Sequence, residues 1–235
     1  MTHSFKSPFS GPLSREVGIL WDLDGTLFDS GKYHITAWEY VLGAENISIG
    51  QARLQAFMGQ NNASTIRGIW GRQATPRLIE HISARKEERY RHLIRTNPIH
   101  PLPGVEETLD RFSRFEWKQA IASSAPRKNI ELVLSRLGIA HFFQAIVGEE
   151  DVRFGKPDPE VFMMAATRLR VRDSRCIVIE DSISGIEAAR RAAMACVRVG
   201  GDELKVDADL CIERVDQLTR RIVFELLAKI RSIGK

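Results

Sequence analysis

Cysteine is scarce in this chain, three residues in 235, and what there is offers no disulfide framework. Cys176, Cys196 and Cys211 form no Cys-x-x-Cys pair, and each lies in or beside an apolar, strand-like run. An odd number without paired spacing reads as reduced, buried thiols in a cytoplasmic setting. Long apolar runs are missing too: none reaches the roughly 18 residues of a membrane-spanning helix. The opening MTHSFKSPFSGPLSRE has no apolar h-region, so residues 1–15 are expected to be a mobile tail, neither signal peptide nor membrane anchor. Nor does charge of one sign dominate. Basic residues number 34 and acidic ones 30, a net charge of +4. The densest basic groups, RKEERYRHLIR and RRIVFELLAKIR, mix charge with apolar helical spacing. They read as solvated helix faces, not as nucleic-acid or membrane surfaces.

What is present is alternation. Short β-rich runs at Val17–Trp21, Lys118–Ala122, Ala145–Gly148, Arg175–Ile179, Ala195–Val199 and Leu210–Ile212 are interleaved with helical patterns near 126–137, 158–169, 184–193 and 215–231. That order predicts an α/β fold, a doubly wound, Rossmann-like parallel sheet with helices on both faces. Asp158-Pro159 marks one helix start: Asp accepts from a free amide, and Pro fits the first helical position. The alternation breaks once. From Tyr33 to Pro101 the spacing is helical throughout and closes at HPLPG, whose prolines mark a return linker. A helical domain over 33–100, inserted after the first strand into a core of 16–32 and 101–235, is therefore expected.

The first strand runs into WDLDGT, placing Asp22 and Asp24 at its carboxyl end, where open parallel sheets bind ligands. Residues i and i+2 of an extended chain share a face, and two ionised carboxylates that close repel unless a cation bridges them. Oxygen ligands without nearby His or Cys suit a hard cation, Mg²⁺ first. Gly25 permits close backbone approach to an anion, and Thr26 adds a hydroxyl. Three further strand ends contribute. AIASSAP puts Ser123 and Ser124 before a helix, a natural phosphate seat. FGKPDP holds Lys156 in a loop, where an ammonium can neutralise a phosphoryl oxygen. RCIVIEDS ends in Glu180 and Asp181, which complete an oxygen cage for one cation. Acid pair, hydroxyl, ammonium and acid pair converge on phosphoryl transfer.

These four segments, in this order, resemble the motifs of the haloacid dehalogenase-like hydrolase superfamily, in its β-phosphoglucomutase-like branch: WDLDGTLFDS, SS in IASSAP, K in GKPDP, and EDS-x-x-GI-x-A-A. The resemblance implies that Asp22 is the nucleophile and Asp24 the general acid and base. It implies that Ser123 and the Ser124 amide hold phosphoryl oxygens, with Gly25 and Thr26 also toward substrate, and that Lys156 balances charge. Mg²⁺ would be held by Asp22, the main-chain carbonyl of Asp24, Asp181 and Glu180. The helical insert matches the cap of that branch, and His34 stands where a His couples cap closure to acid–base chemistry. Members that cleave carbon–halogen bonds lack the second aspartate, so its presence points to phosphate esters. Against a mutase, Asn62 and Met58 stand where mutases carry a phosphate-gripping Arg and a Lys, although Arg67 or Arg72 could substitute. The expected activity is thus a Mg²⁺-dependent phosphatase for a small sugar phosphate or phosphoglycolate, working as a monomer or weak homodimer without nucleic-acid or membrane partners. A hexose-phosphate mutase and a non-catalytic binding protein are the rivals.

Overall fold

β1 (Gly18–Trp21) is buried along its whole length, as a strand covered on both faces must be. A computed structural model describes residues 16–57, 60–200 and 207–233; the proposed tail and Met58 lie outside the described residues. β1 sits inside a six-stranded sheet of order β3-β2-β1-β4-β5-β6, with β2 Lys118–Ala122, β3 Ala145–Val147, β4 Cys176–Glu180, β5 Ala195–Val199 and β6 Leu210–Ile212. Every pairing is parallel. Alternation along β1 sends Ile19 and Trp21 into one hydrophobic layer and Leu20 into the other. The first layer is closed by α5 (Val105–Arg114), α6 (Arg127–Leu137) and α9 (Arg220–Ile233), the second by α7 (Glu160–Leu169) and α8 (Ile183–Arg191).

Between β1 and α5 the chain forms α1 (Gly31–Ala44), α2 (Gln51–Gln55), α3 (Asn62–Trp70) and α4 (Pro76–Thr96). α4 starts sharply: Thr75 Oγ1 accepts from the Leu78 amide at 3.2 Å and Pro76 opens the helix, an N-cap followed by a residue whose missing N–H is not needed. These helices enclose a cluster of their own, Trp38, Val41, Leu42, Leu54, Ile66 and Ile82. Tyr33, Ala37, Tyr90 and Ile94, at the base of α1 and α4, join the large layer against the sheet. The insert therefore has a separate core yet shares apolar surface with the sheet.

Several local expectations shift. α5 has no counterpart among the predicted helices, although Val105, Thr108, Leu109 and Phe112 form a buried i, i+3, i+4, i+7 stripe; ten residues between two strong signals were too few to stand out. Asp158 Oδ1 accepts at 3.0 Å from the Glu160 amide, the first free N–H after Pro159, as the Asp-Pro pattern predicts, while the regular helix begins at Glu160, one residue beyond the expected first position. α9 starts at Arg220, with Val215–Gln217 a short 3₁₀ turn instead of helix. Cys176 and Cys196 are buried, but Cys211 is exposed because β6 is an edge strand.

Candidate active site

The parallel register brings the motif residues to one height. Trp21 lies beside Ile121 of β2 and Ile179 of β4. The next residue, Asp22, donates its amide to the Ile179 carbonyl at 2.9 Å, and Ser123 does likewise to Val147 at 3.1 Å. Beyond Asp22 the chain doubles back: the Leu27 amide bonds the Leu23 carbonyl and the Gly25 amide bonds the Phe28 carbonyl, both at 3.0 Å. The Gly25 amide is therefore committed to the turn and is not offered to an anion. What the glycine provides is clearance. Its φ is +85°, and a Cβ there would lie 2.0 Å from Asp181 Oδ2, so any side chain would push Asp181 out of the site.

Lys156 holds the first half of the site together. Its ammonium donates to Asp22 Oδ1 at 2.6 Å and Glu180 Oε1 at 2.7 Å. Burial works against that charge, but Asp22 and Glu180 overcome it and hold the lysine pKa above its ordinary value. Glu180 is fully buried; its other oxygen accepts from the amides of Asp181 (2.8 Å) and Ser182 (2.6 Å) and from Ser182 Oγ (2.9 Å). All of its acceptor capacity toward the backbone is thus used in fixing the start of α8, and it packs against Gly185, where a Cβ would overlap its carboxylate. The Asp22 carboxyl is pushed well above the usual range, by burial first and then by Glu180, Asp181 and Asp24 against the opposing pull of Lys156. Asp181 is raised by burial and by Glu180. One ammonium does not offset this many acids.

Oxygens of Asp22, Glu180 and Asp181 lie within 4.8 Å of one another. An all-oxygen, electron-rich cluster fits a hard divalent cation such as Mg²⁺. Asp22 and Asp181 have the freer oxygens, while Glu180 braces Lys156 and the α8 turn. The Asp24 carboxylate faces elsewhere. Thr26 Oγ1 and Ser124 Oγ are buried without a hydrogen-bond partner, an arrangement that needs an acceptor to satisfy it. Ser123 Oγ accepts from the Ala125 amide at 3.1 Å. α6 begins only at Arg127, so the serines lie on the β2 exit, short of the helix amides expected to seat a phosphate.

Asp24 belongs to a second network. His34 Nε2 lies 3.1 Å from Asp24 Oδ1, and the Tyr90 hydroxyl donates to the same oxygen at 3.3 Å. The Tyr90 ring stacks on His34 with centroids 4.3 Å apart. Lys86 Nζ reaches His34 Nδ1 at 3.0 Å. Burial pushes the Asp24 carboxyl up, but His34, a hydrogen bond from Ser30 and the charge of Lys86 together hold it below its ordinary value. Lys86, Glu87 and Tyr90 come from RKEERYRHLIR, expected as a solvated face; instead they are 3%, 6% and 1% exposed. The available signal was the four-residue series Ile82, Lys86, Tyr90, Ile94, all buried on one side of α4.

The model of a family described as haloacid dehalogenase-like hydrolase matches residues 19–199. The chain belongs to the haloacid dehalogenase-like hydrolases. Within that family it is 32% identical over 215 residues to a β-phosphoglucomutase of Bacillus subtilis strain 168, covering 88% of this chain and 93% of that one. It is also 32% identical over 190 residues to the fructose-1-phosphate phosphatase YqaB of Escherichia coli K12, covering 79% and 97%. A crystal structure of β-phosphoglucomutase from Clostridium difficile superposes with a TM-score of 0.82 at 28% identity, over 94% of this chain and 99% of that chain. Relatives in the hydrolase family thus include both a mutase and a phosphatase, and the site must distinguish the two. No helix among the described residues is long and apolar enough to cross a membrane.

Proposed function

We propose that this hydrolase is a Mg²⁺-dependent phosphatase acting on a small sugar phosphate through an aspartyl-phosphate intermediate, with α1–α4 as a cap domain over the site. The observation that carries this is the separation of two carboxylates only two residues apart. Asp22 lies among Lys156, Glu180 and Asp181, whereas Asp24 is held by His34 and Tyr90. Different surroundings give chemically similar groups different roles.

Asp22 has one oxygen on Lys156, and its other oxygen is the one that attacks phosphorus in line, forming the acyl phosphate as the ester oxygen leaves. Lys156, Ser123, Ser124 and Thr26 hold the phosphoryl oxygens. Asp24, which takes up a proton as the negative charge of the phosphate enters beside it, delivers that proton to the leaving oxygen and then, as carboxylate, takes one from the water that hydrolyses the intermediate. Its lowered pKa favours the second task. Asp22 and Asp181, with Glu180 behind them, would hold Mg²⁺, which supplies neutralisation of the clustered carboxylates and of the phosphate charge.

A mutase must also grip a second phosphate from the cap side. Asn62 is buried and neutral, and its Nδ2 is bonded to Glu87 Oε1 at 2.7 Å. A carboxamide already bonded to a carboxylate brings no positive charge to a second anion, whether phosphate or the carboxylate of phosphoglycolate. The test is phosphate release from a panel of sugar phosphates, phosphoglycolate and 4-nitrophenyl phosphate with Mg²⁺, with glucose bisphosphate added to a parallel β-glucose 1-phosphate assay. Primer-independent release of phosphate, falling by on the order of 10⁴-fold or more in Asp22→Asn, is expected. Turnover only with the bisphosphate would establish the mutase instead.

A further inference from the structure

Glu87 gathers donors from three helices. It projects from α4, and its Oε1 accepts from Asn62 Nδ2 of α3 and from Lys86 Nζ, each at 2.7 Å. Its Oε2 accepts from Asn129 Nδ2 of α6, the helix that follows Ser123 and Ser124. Asn129 is itself oriented: Arg91 Nη1 donates to its Oδ1 at 2.9 Å, which leaves the amide NH₂ for Glu87. Burial pushes Glu87 up, but the charge of Lys86 and hydrogen bonds from Lys86 and Asn62 bring it below its ordinary value, so it is a carboxylate. A buried carboxylate is costly to keep, and the apolar packing of α4 does not require one.

Proton bookkeeping shows what it controls. An ammonium has donors and no acceptor, so the 3.0 Å contact between Lys86 and His34 is an N–H directed at the Nδ1 lone pair. The one remaining ring proton is then on Nε2, where it is donated to Asp24 Oδ1 at 3.1 Å. Glu87 fixes Lys86, Lys86 fixes the His34 tautomer, and His34 fixes Asp24. Asn129 ties the far end of this series to the sheet domain, so the series begins on α6, crosses the inserted helices and returns to the turn after β1.

We propose that Glu87 is a positioning residue for the reaction: by bonding Asn129 across the seam and anchoring Lys86, it sets the proton donated to Asp24 only when the inserted helices are seated on the sheet domain. Glu87 touches no reacting atom. The inference rests on the phosphatase reading, in which Asp24 protonates the leaving oxygen.

The experiment uses that dependence. Full-length wild type and Glu87→Gln are assayed with Mg²⁺ on 4-nitrophenyl phosphate, phenyl phosphate and fructose 1-phosphate, and kcat/KM is compared along the series. Nitrophenolate leaves without help, whereas a sugar alkoxide needs its proton. General acid catalysis is worth about 10²–10⁴-fold; its impairment is expected to lower kcat/KM by roughly tenfold or more on fructose 1-phosphate and by less than about threefold on 4-nitrophenyl phosphate, with phenyl phosphate between. Glu87→Asp, which keeps the charge, is expected to recover part of the loss. Equal loss on all three esters would mean a structural role and overturn the proposal. If Glu87→Gln does not fold, Asn129→Ser removes the same bond from the other side and must show the same dependence on the leaving group; a flat response there overturns it as well. Absence of wild-type hydrolysis of every ester would instead remove the phosphatase reading, a result read before any variant is compared.

Discussion

Two buried lysines divide this candidate site. Lys156, at the loop after β3, lies between Asp22 and Glu180; Lys86, in the middle of α4, lies between Glu87 and His34. Both are nearly inaccessible, at 6% and 3% exposure. The first ammonium neutralises acids that converge from strand ends. The second lies against His34 Nδ1 and so orients the imidazole whose Nε2 meets Asp24. The turn that carries Asp22 and Asp24 joins the two networks.

Removing a member of each half should expose that division. Lys156→Ala leaves Asp22 and Glu180 buried without their counter-charge; breaking a buried pair in this way costs about 3–5 kcal/mol. Urea unfolding is expected to show that loss together with near-complete loss of phosphatase activity. Unchanged stability would mean that the strand-end acids are less dependent on Lys156 than their hydrogen bonds imply. Asp24→Asn is milder on the fold and acts on the chemistry, lowering kcat on a sugar phosphate by about 10²–10⁴-fold with little change in the unfolding midpoint. Near-normal turnover would remove Asp24 from the acid–base role.

The smallest expected effect concerns Glu149, which feels the charges of Glu87 and Lys86. Its carboxyl is raised from 4.5 to about 7, by burial and then by Glu87 and Glu150, with Lys86 opposing. A raised acid keeps its proton in the folded chain after the unfolded chain has lost it. Stability is therefore expected to fall as pH rises from 4.5 toward 7, with the penalty fully present above 7 and absent below 4.5. Glu149→Gln should raise Tm by about 2–4 °C at pH 8 and by much less at pH 5. An equal shift at both values would assign the effect to packing.

Legibility followed the same division. WDLDGT, SSAP and EDS each sit where an apolar strand stops, and GKPDP lies in the loop between β3 and α7; a parallel sheet brings such ends to one edge, so Asp22, Lys156, Glu180 and Asp181 could be expected together before any coordinates. His34 was legible through the family resemblance, though its partners were not. The α5 stripe is too short to stand out in the sequence, and the burial of Cys211 is not legible because edge and interior strands look alike over three residues.

Local sequence alone determined the strand order of chemistry: periodicity set the alternating elements, and polar residues at strand ends set the acids, hydroxyls and ammonium. Tertiary structure decided which charges of RKEERYRHLIR face inward, because helical spacing places Lys86, Glu87 and Tyr90 on a face without saying what that face meets. It also decided that Asn62 and Asn129, 67 positions apart in the chain, share one carboxylate, since hydrogen bonds between distant helices depend on how those helices pack.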